Sequence, residues 1–103
     1  MGRRICHRSD GNQKDIVDAL RALGCFVVSL SKIGNGCPDL IVSYRGRLHW
    51  AEVKNGSMLG WKLTDDQKKF HALCGAPIAI LDSVESAVAW IESLNVRRGT
   101  KVA

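Results

Sequence analysis

Three charged residues interrupt two runs that otherwise read as buried strand: Asp39 in "GCPDLIV", then Glu52 and Lys54 in "HWAEVKNG". Successive side chains of a strand point to opposite faces, so Glu52 and Lys54 share one face with Leu48 and Trp50. His49, Ala51 and Val53 share the other. If the run 40–42 pairs with 48–54 as a hairpin, Asp39 at the start of one strand approaches Glu52 at the end of the next. Two carboxylates about 5 Å apart repel by roughly 3 kcal/mol at an effective dielectric near 20, a large share of a small domain's stability. Something positive should therefore sit between them. Lys54 supplies part of that charge, and a carboxylate pair with a backbone carbonyl and waters also suits Mg²⁺ or Mn²⁺. Such an ion polarises a phosphate oxygen and lowers the pKa of a water, while a neighbouring lysine orients that water or stabilises developing charge. Phosphodiester hydrolysis is the reaction these parts suit best. The plainer alternative is a solvated Glu52–Lys54 pair, with Asp39 opening a turn after Pro38; Leu48 and Trp50 on the same face are strange company for it.

The elements that must position these residues follow from periodicity and punctuation. Ser9, Asp10 and Gly11 supply cap and turn chemistry, and Ile16, Val17, Leu20 and Leu23 recur at helical spacing until Gly24, which predicts an amphipathic helix over 12–23. Residues 25–30 predict a first strand, followed by the loop Ile33 to Gly36. That loop lacks the Gly-Lys-Ser/Thr ending of a phosphate-binding loop and leads into a strand, so its glycines read as flexible backbone beside Asp39. The second strand is 40–42, and Tyr44 to Arg47 make a connection short enough to demand an antiparallel hairpin into 48–54. Thr64 and Gln67 form a capping box that opens a second helix to about Cys74. Residues 77–81 predict a fourth strand. Ser83 caps a last helix whose Val84, Ala87, Val88, Ile91 and Leu94 keep one apolar stripe. The order αβββαβα, with a helix between the last two strands, predicts an α/β fold: a mixed sheet flanked by helices.

A chain of 103 residues that is 46% hydrophobic and 24% charged fits one ordinary globular domain. The net charge of +5 belongs to the ends: of 15 basic residues, six lie in 1–9 and 97–103, leaving nine against ten acids. We expect basic tails at 1–9 and 96–103 around a domain at 10–95. Such tails can neutralise phosphates or simply stay solvated. Cys6, Cys25, Cys37 and Cys74 show no zinc spacing, and Cys25 and Cys74 read as buried free thiols of a reducing cytoplasm. With no secretory signal and no membrane-length apolar run, the expectation is a soluble cytoplasmic protein.

The joint pattern "GCPDLIV" and "HWAEVKNG" resembles the PD-(D/E)xK nuclease signature. With "DIVDALRALG", "LTDDQ" and "SVESAVAWI" beside it, the span from roughly 10 to 95 is similar to stand-alone VRR-NUC (virus-type replication-repair nuclease) domains. The resemblance implies a restriction-endonuclease-like fold and an Mg²⁺- or Mn²⁺-dependent endodeoxyribonuclease of bacterial or phage-infected cells. It implies Asp39, Glu52 and the Val53 carbonyl as metal ligands and Lys54 as the catalytic lysine. Similarity to Holliday junction resolvases further implies branched, four-way DNA as substrate and a two-fold homodimer. Related archaeal resolvases often place a Glu on the first helix; the corresponding position here is Gln13, or else Asn12. Gln13 falls with Ile16, Val17 and Leu20 and is expected to face the sheet; it could bind a metal's water or a phosphate, or only satisfy backbone groups. Many relatives carry a Gln near the site on the helix that holds Gln67, a residue its capping box also explains. His71 reads as a half-buried core histidine, and His49 lies on the face opposite Glu52. Met58, Leu59 and Trp61 could cover the core, contact DNA or meet a second subunit. Lys32, Arg45, Arg47, Lys62, Lys68 and Lys69 are candidate phosphate contacts. The competing class is a catalytically idle nucleic-acid-binding module of the same fold, whose sign would be a lost acid or lysine; all three are present. A third is a structural partner in a larger phage or prophage assembly.

Overall fold

Ile16 and Leu20, one helical turn apart, are both fully buried, and the helix carrying them builds the core. The computed structural model describes residues 8–54 and 62–102, with side chains over 12–54 and 62–95. Most of the basic N-terminal tail and the segment of Met58, Leu59 and Trp61 lie outside the described residues. Helix α1 (Arg8–Ala22) begins earlier than the expected 12, so Ser9, Asp10 and Gly11 lie within it and do not cap it. It ends where expected: Gly24 takes φ 97° and the Cys25 amide donates back to the Leu20 carbonyl at 3.0 Å.

Strands β1 (Phe26–Ser29), β2 (Leu40–Tyr44) and β3 (Arg47–Val53) follow, then helix α2 (Asp65–Cys74), strand β4 (Ile78–Leu81) and helix α3 (Val84–Val102). Helix α3 continues through residues 96–102, so helical backbone extends into the expected C-terminal tail. The sheet order is β1-β2-β3-β4, antiparallel at the first two junctions and parallel between β3 and β4. The α2 crossover permits that parallel pair. This is the mixed sheet and the element order that periodicity predicts. Between β2 and β3, Arg45 and Gly46 both adopt positive φ (53° and 80°), as a two-residue hairpin with the sheet's own twist requires.

Alternation gives the sheet two unlike faces. Val27, Leu40, Val42, Tyr44, Ala51 and Leu81 pack with Ile16 and Leu20 of α1 and Ala87 and Ile91 of α3 into one core. The Tyr44 hydroxyl ties this layer to α3 by donating to Asn95 Oδ1 at 3.0 Å. The other face carries Trp50 and Glu52 and meets α2, where Phe70 sets its ring edge-on to Trp50 at 5.4 Å. Helix α2 is short and covers only this end. Leu48, expected to help bury the face it shares with Glu52, is 72% exposed. Cys25 is buried as expected, whereas Cys74, at the end of α2, is only half-buried. No helix among the described residues is long and apolar enough to cross a membrane.

Leu20 tests where stability resides. Leu20→Ala, which empties a fully buried site between α1 and the sheet, lowers unfolding free energy by about 2–5 kcal/mol. Chemical denaturation measures this; a loss below about 1 kcal/mol contradicts the core described.

Candidate active site

Glu52 stands at the C-terminal end of β3, a central strand, with Ile80 of β4 on one side. On the other side, the register one step beyond Leu40↔Ala51 sets Asp39 across from it. Residues directly opposite in an antiparallel pair share a face, so the two carboxyls converge. Asp39 is held on both flanks: its carbonyl accepts from the Leu30 amide at 2.7 Å, and its Oδ2 accepts from the Val53 amide at 2.8 Å. The Lys54 amide turns the other way and donates to the Leu81 carbonyl at 2.9 Å.

The burial of Glu52 is the unusual feature: 1% of it is exposed, and it is the one buried charged residue among those described. Its Oε2 accepts from Gln67 Nε2 at 2.8 Å, but its Oε1 is buried with no hydrogen-bond partner among the described residues. Desolvation, then the charge of Asp39 and hydrogen bonding with it, push the Glu52 carboxyl up to about 8; the Lys54 charge opposes the shift. The Glu52 carboxyl is satisfied only when a proton or a cation lies between it and Asp39.

Gln67 reaches this pair from the first turn of α2. Thr64 caps that turn with φ −73° and ψ 169°, and its Oγ1 accepts from the Gln67 amide at 3.1 Å. The Gln67 side chain returns the bond through Oε1, which accepts from the Thr64 amide at 2.9 Å. The same Oε1 accepts from Lys54 Nζ at 2.9 Å. One amide thus closes the capping box and bridges Lys54 to Glu52, so the structural and functional readings of Gln67 rest on the same atoms. Lys54 Nζ also lies 3.5 Å from the Lys62 carbonyl.

Gln13 faces the sheet, as expected, at the end of β1. Its Nε2 donates to Ser31 Oγ, just past the strand, at 3.0 Å and lies 3.4 Å from Ser29 Oγ, on the last residue of β1. Asn12, also on α1, reaches the residue after β3, donating through Nδ2 to the Lys54 carbonyl at 2.8 Å. The reason is helical phase: Asn12 sits one turn before Ile16 on the fully buried stripe, and Gln13 lies over half-buried Val17. His49 lies opposite Glu52 as expected, with its ring edge-on to Trp90 at 5.5 Å. His71 is half-buried, and its Nε2 is buried with no partner among the described residues.

Two neighbours escape a reading of the sequence. Cys37 lies close enough to feel both acids, its thiol pushed up by burial, then by Glu52 and Asp39. Gly36 packs directly against the first turn of α2: a Cβ built there would overlap the Asp66 carbonyl and lie 2.8 Å from the Gln67 nitrogen. It is a packed contact, not the flexible backbone expected of this loop.

Among the described residues no group of three His, Cys, Asp or Glu side chains could hold a metal. The donors available are two carboxylates and backbone carbonyls. That sparse all-oxygen set, with a deprived carboxylate oxygen at its centre, fits Mg²⁺ or Mn²⁺, which keep several waters and bind through one or two carboxylates plus substrate phosphate.

The αβββαβα order and mixed sheet, with acids at adjoining strand ends, make this a restriction-endonuclease-like fold. No family model matches the chain, and none of the curated proteins does. Among solved structures, one described as "VRR_NUC domain" is similar at 30% identity and a TM-score of 0.65, over 82% of this chain and 95% of that one. The chain belongs to the VRR-NUC family and is a nuclease domain.

Proposed function

We propose that this domain is a divalent-metal-dependent, structure-specific endodeoxyribonuclease acting on branched DNA, four-way junctions above all, as a two-fold homodimer. The observation that carries the reading is the buried, partly unsatisfied Glu52 facing Asp39, with Lys54 strapped beside it by Gln67. Asp39, Glu52 and the Val53 carbonyl are the metal ligands; the ion, when bound, polarises a phosphate oxygen and acidifies a water. Lys54 brings its ammonium to the phosphate and stabilises charge as it develops there. Gln67 holds that ammonium at one distance from the carboxylates, and Asp39 is kept in place by its bonds to the β1 and β3 backbones. Lys62, Lys68 and Lys69 are exposed before and along α2, where they can take phosphates flanking the site. Paired incision of a four-way junction needs two such sites, which a two-fold dimer supplies.

Incubation with four-way junction, flap, single-stranded and linear duplex DNA, in Mg²⁺, Mn²⁺ or EDTA, tests this. The expected result is paired incision of the junction with either metal and none in EDTA. Cleavage in EDTA overturns the metal site, and tight junction binding without incision in any metal favours the idle binding module. Sedimentation of the free protein as a monomer at assay concentrations overturns the dimer.

A further inference from the structure

We propose that Gly36 is the positioning residue for Gln67: the loop before Asp39 fixes the depth at which the first turn of α2 sits, and thereby whether Gln67 reaches Lys54 and Glu52. Gly34, Asn35 and Gly36 all adopt positive φ, at 76°, 56° and 80°. At Gly34 the conformation is the whole requirement, because an added Cβ would meet nothing within 4 Å. At Gly36 the same Cβ would run into the Asp66 carbonyl and the Gln67 nitrogen, which are backbone atoms of a helical turn and cannot rotate aside.

One side must then give way, and the two sides are unequal. The loop leads within three residues to Asp39, which is fixed by its bonds to Leu30 and Val53. Helix α2 has no buried residue. It meets the sheet through the Trp50–Phe70 ring contact and through Gln67 itself. A side chain at position 36 therefore lifts the first turn of α2 away from β3. The Gln67 bonds to Lys54 and Glu52, 2.9 and 2.8 Å long, weaken steeply beyond about 3.5 Å, so a displacement on the order of 1 Å breaks both. Gly36 acts through the helical turn it abuts, at Asp66 and Gln67.

This role rests on the proposed nuclease reading for its catalytic consequence, but its structural half can be read without metal or DNA. Gly34→Ala and Gly36→Ala impose the same kind of backbone strain and differ only in the contact. In the metal-free protein, amide exchange by NMR should show the Gln67 side-chain NH₂ unchanged in Gly34→Ala and exchanging at least about tenfold faster in Gly36→Ala. In steady-state cleavage, Gly36→Ala lowers kcat about tenfold with KM for DNA unchanged, while Gly34→Ala stays within about twofold of wild type. In a Gln67→Ala background, Gly36→Ala adds no further loss. The role is overturned if the Gln67 amide is unaffected by Gly36→Ala, or if the two losses in kcat multiply. Should Gly36→Ala fail to fold, Phe70→Ala decides: removal of the other contact leaves the Gln67 amide protected, and its release there assigns the anchoring to Phe70 instead. A wild-type protein that cleaves no DNA sinks the nuclease reading, while amide exchange still decides the role of Gly36.

Discussion

Asp39→Ala and Lys54→Ala each reduce kcat/KM for cleavage at least a thousandfold, about 4 kcal/mol of transition-state stabilisation, while both proteins stay folded. The fold survives because neither side chain supports the core. Asp39 loses one hydrogen bond, to the Val53 amide, worth about 1 kcal/mol, and its backbone bond to Leu30 remains. Lys54 leaves behind a Gln67 still bonded to Thr64 and Glu52. In the proposed site activity does not survive, because Asp39 is one of its two carboxylates among the described residues and Lys54 brings the cation that Gln67 holds beside Glu52. Electrostatic groups aimed at developing charge are worth about 100- to 1000-fold each, and a lost metal ligand adds its own cost. A junction-cleavage time course beside circular dichroism measures both halves. Retention of more than about a hundredth of wild-type activity in either variant removes that residue from the proposed site.

How far the sequence disclosed this arrangement depended on whether each relation was local. Glu52 and Lys54 share a face because a strand alternates, and Asp39 meets Glu52 because Tyr44 to Arg47 allow only a hairpin; both follow from spacing along the chain. Alternation gives a face and says nothing of its depth, so Leu48 and Glu52, on one face of one strand, end up exposed and buried. What separates them is α2, which reaches only one end of that face. Asn12 and Gln13 differ by one residue of helical phase, a rotation of about 100°, and spacing along the chain does not say which strand end each side chain meets. The contact of Gly36 with Asp66 and Gln67 joins positions about thirty residues apart, and no local pattern marks such a backbone approach.

The metal-free protein loses stability as pH rises from about 4.5 to about 8 and regains it when a divalent cation is added at the upper end. The sign follows from Glu52. Its carboxyl sits near 8 in the folded state against an ordinary value of 4.5, so between the two the native protein holds a proton that the unfolded chain has released. Stability therefore falls with pH across that window and levels off above it. At about 1.4 kcal/mol per unit the full shift is an upper bound, and a loss on the order of 2–4 kcal/mol is expected after local relaxation. For a domain of this size that lowers Tm by roughly 10 °C or more. Glu52→Gln carries no charge to bury, so its melting temperature stays flat over the same range and exceeds that of metal-free wild type at about pH 9. Added Mg²⁺ raises the wild-type Tm at about pH 9, has little effect near pH 5, and leaves Glu52→Gln unchanged. Thermal melts across this range, with Mg²⁺ or EDTA, check each part; a wild-type Tm that rises with pH, or a Glu52→Gln protein that keeps the slope, removes Glu52 as the cause. The destabilisation and the proposed chemistry have one origin: the burial that makes an ionised Glu52 costly beside Asp39 is what gives a cation placed between them its binding energy.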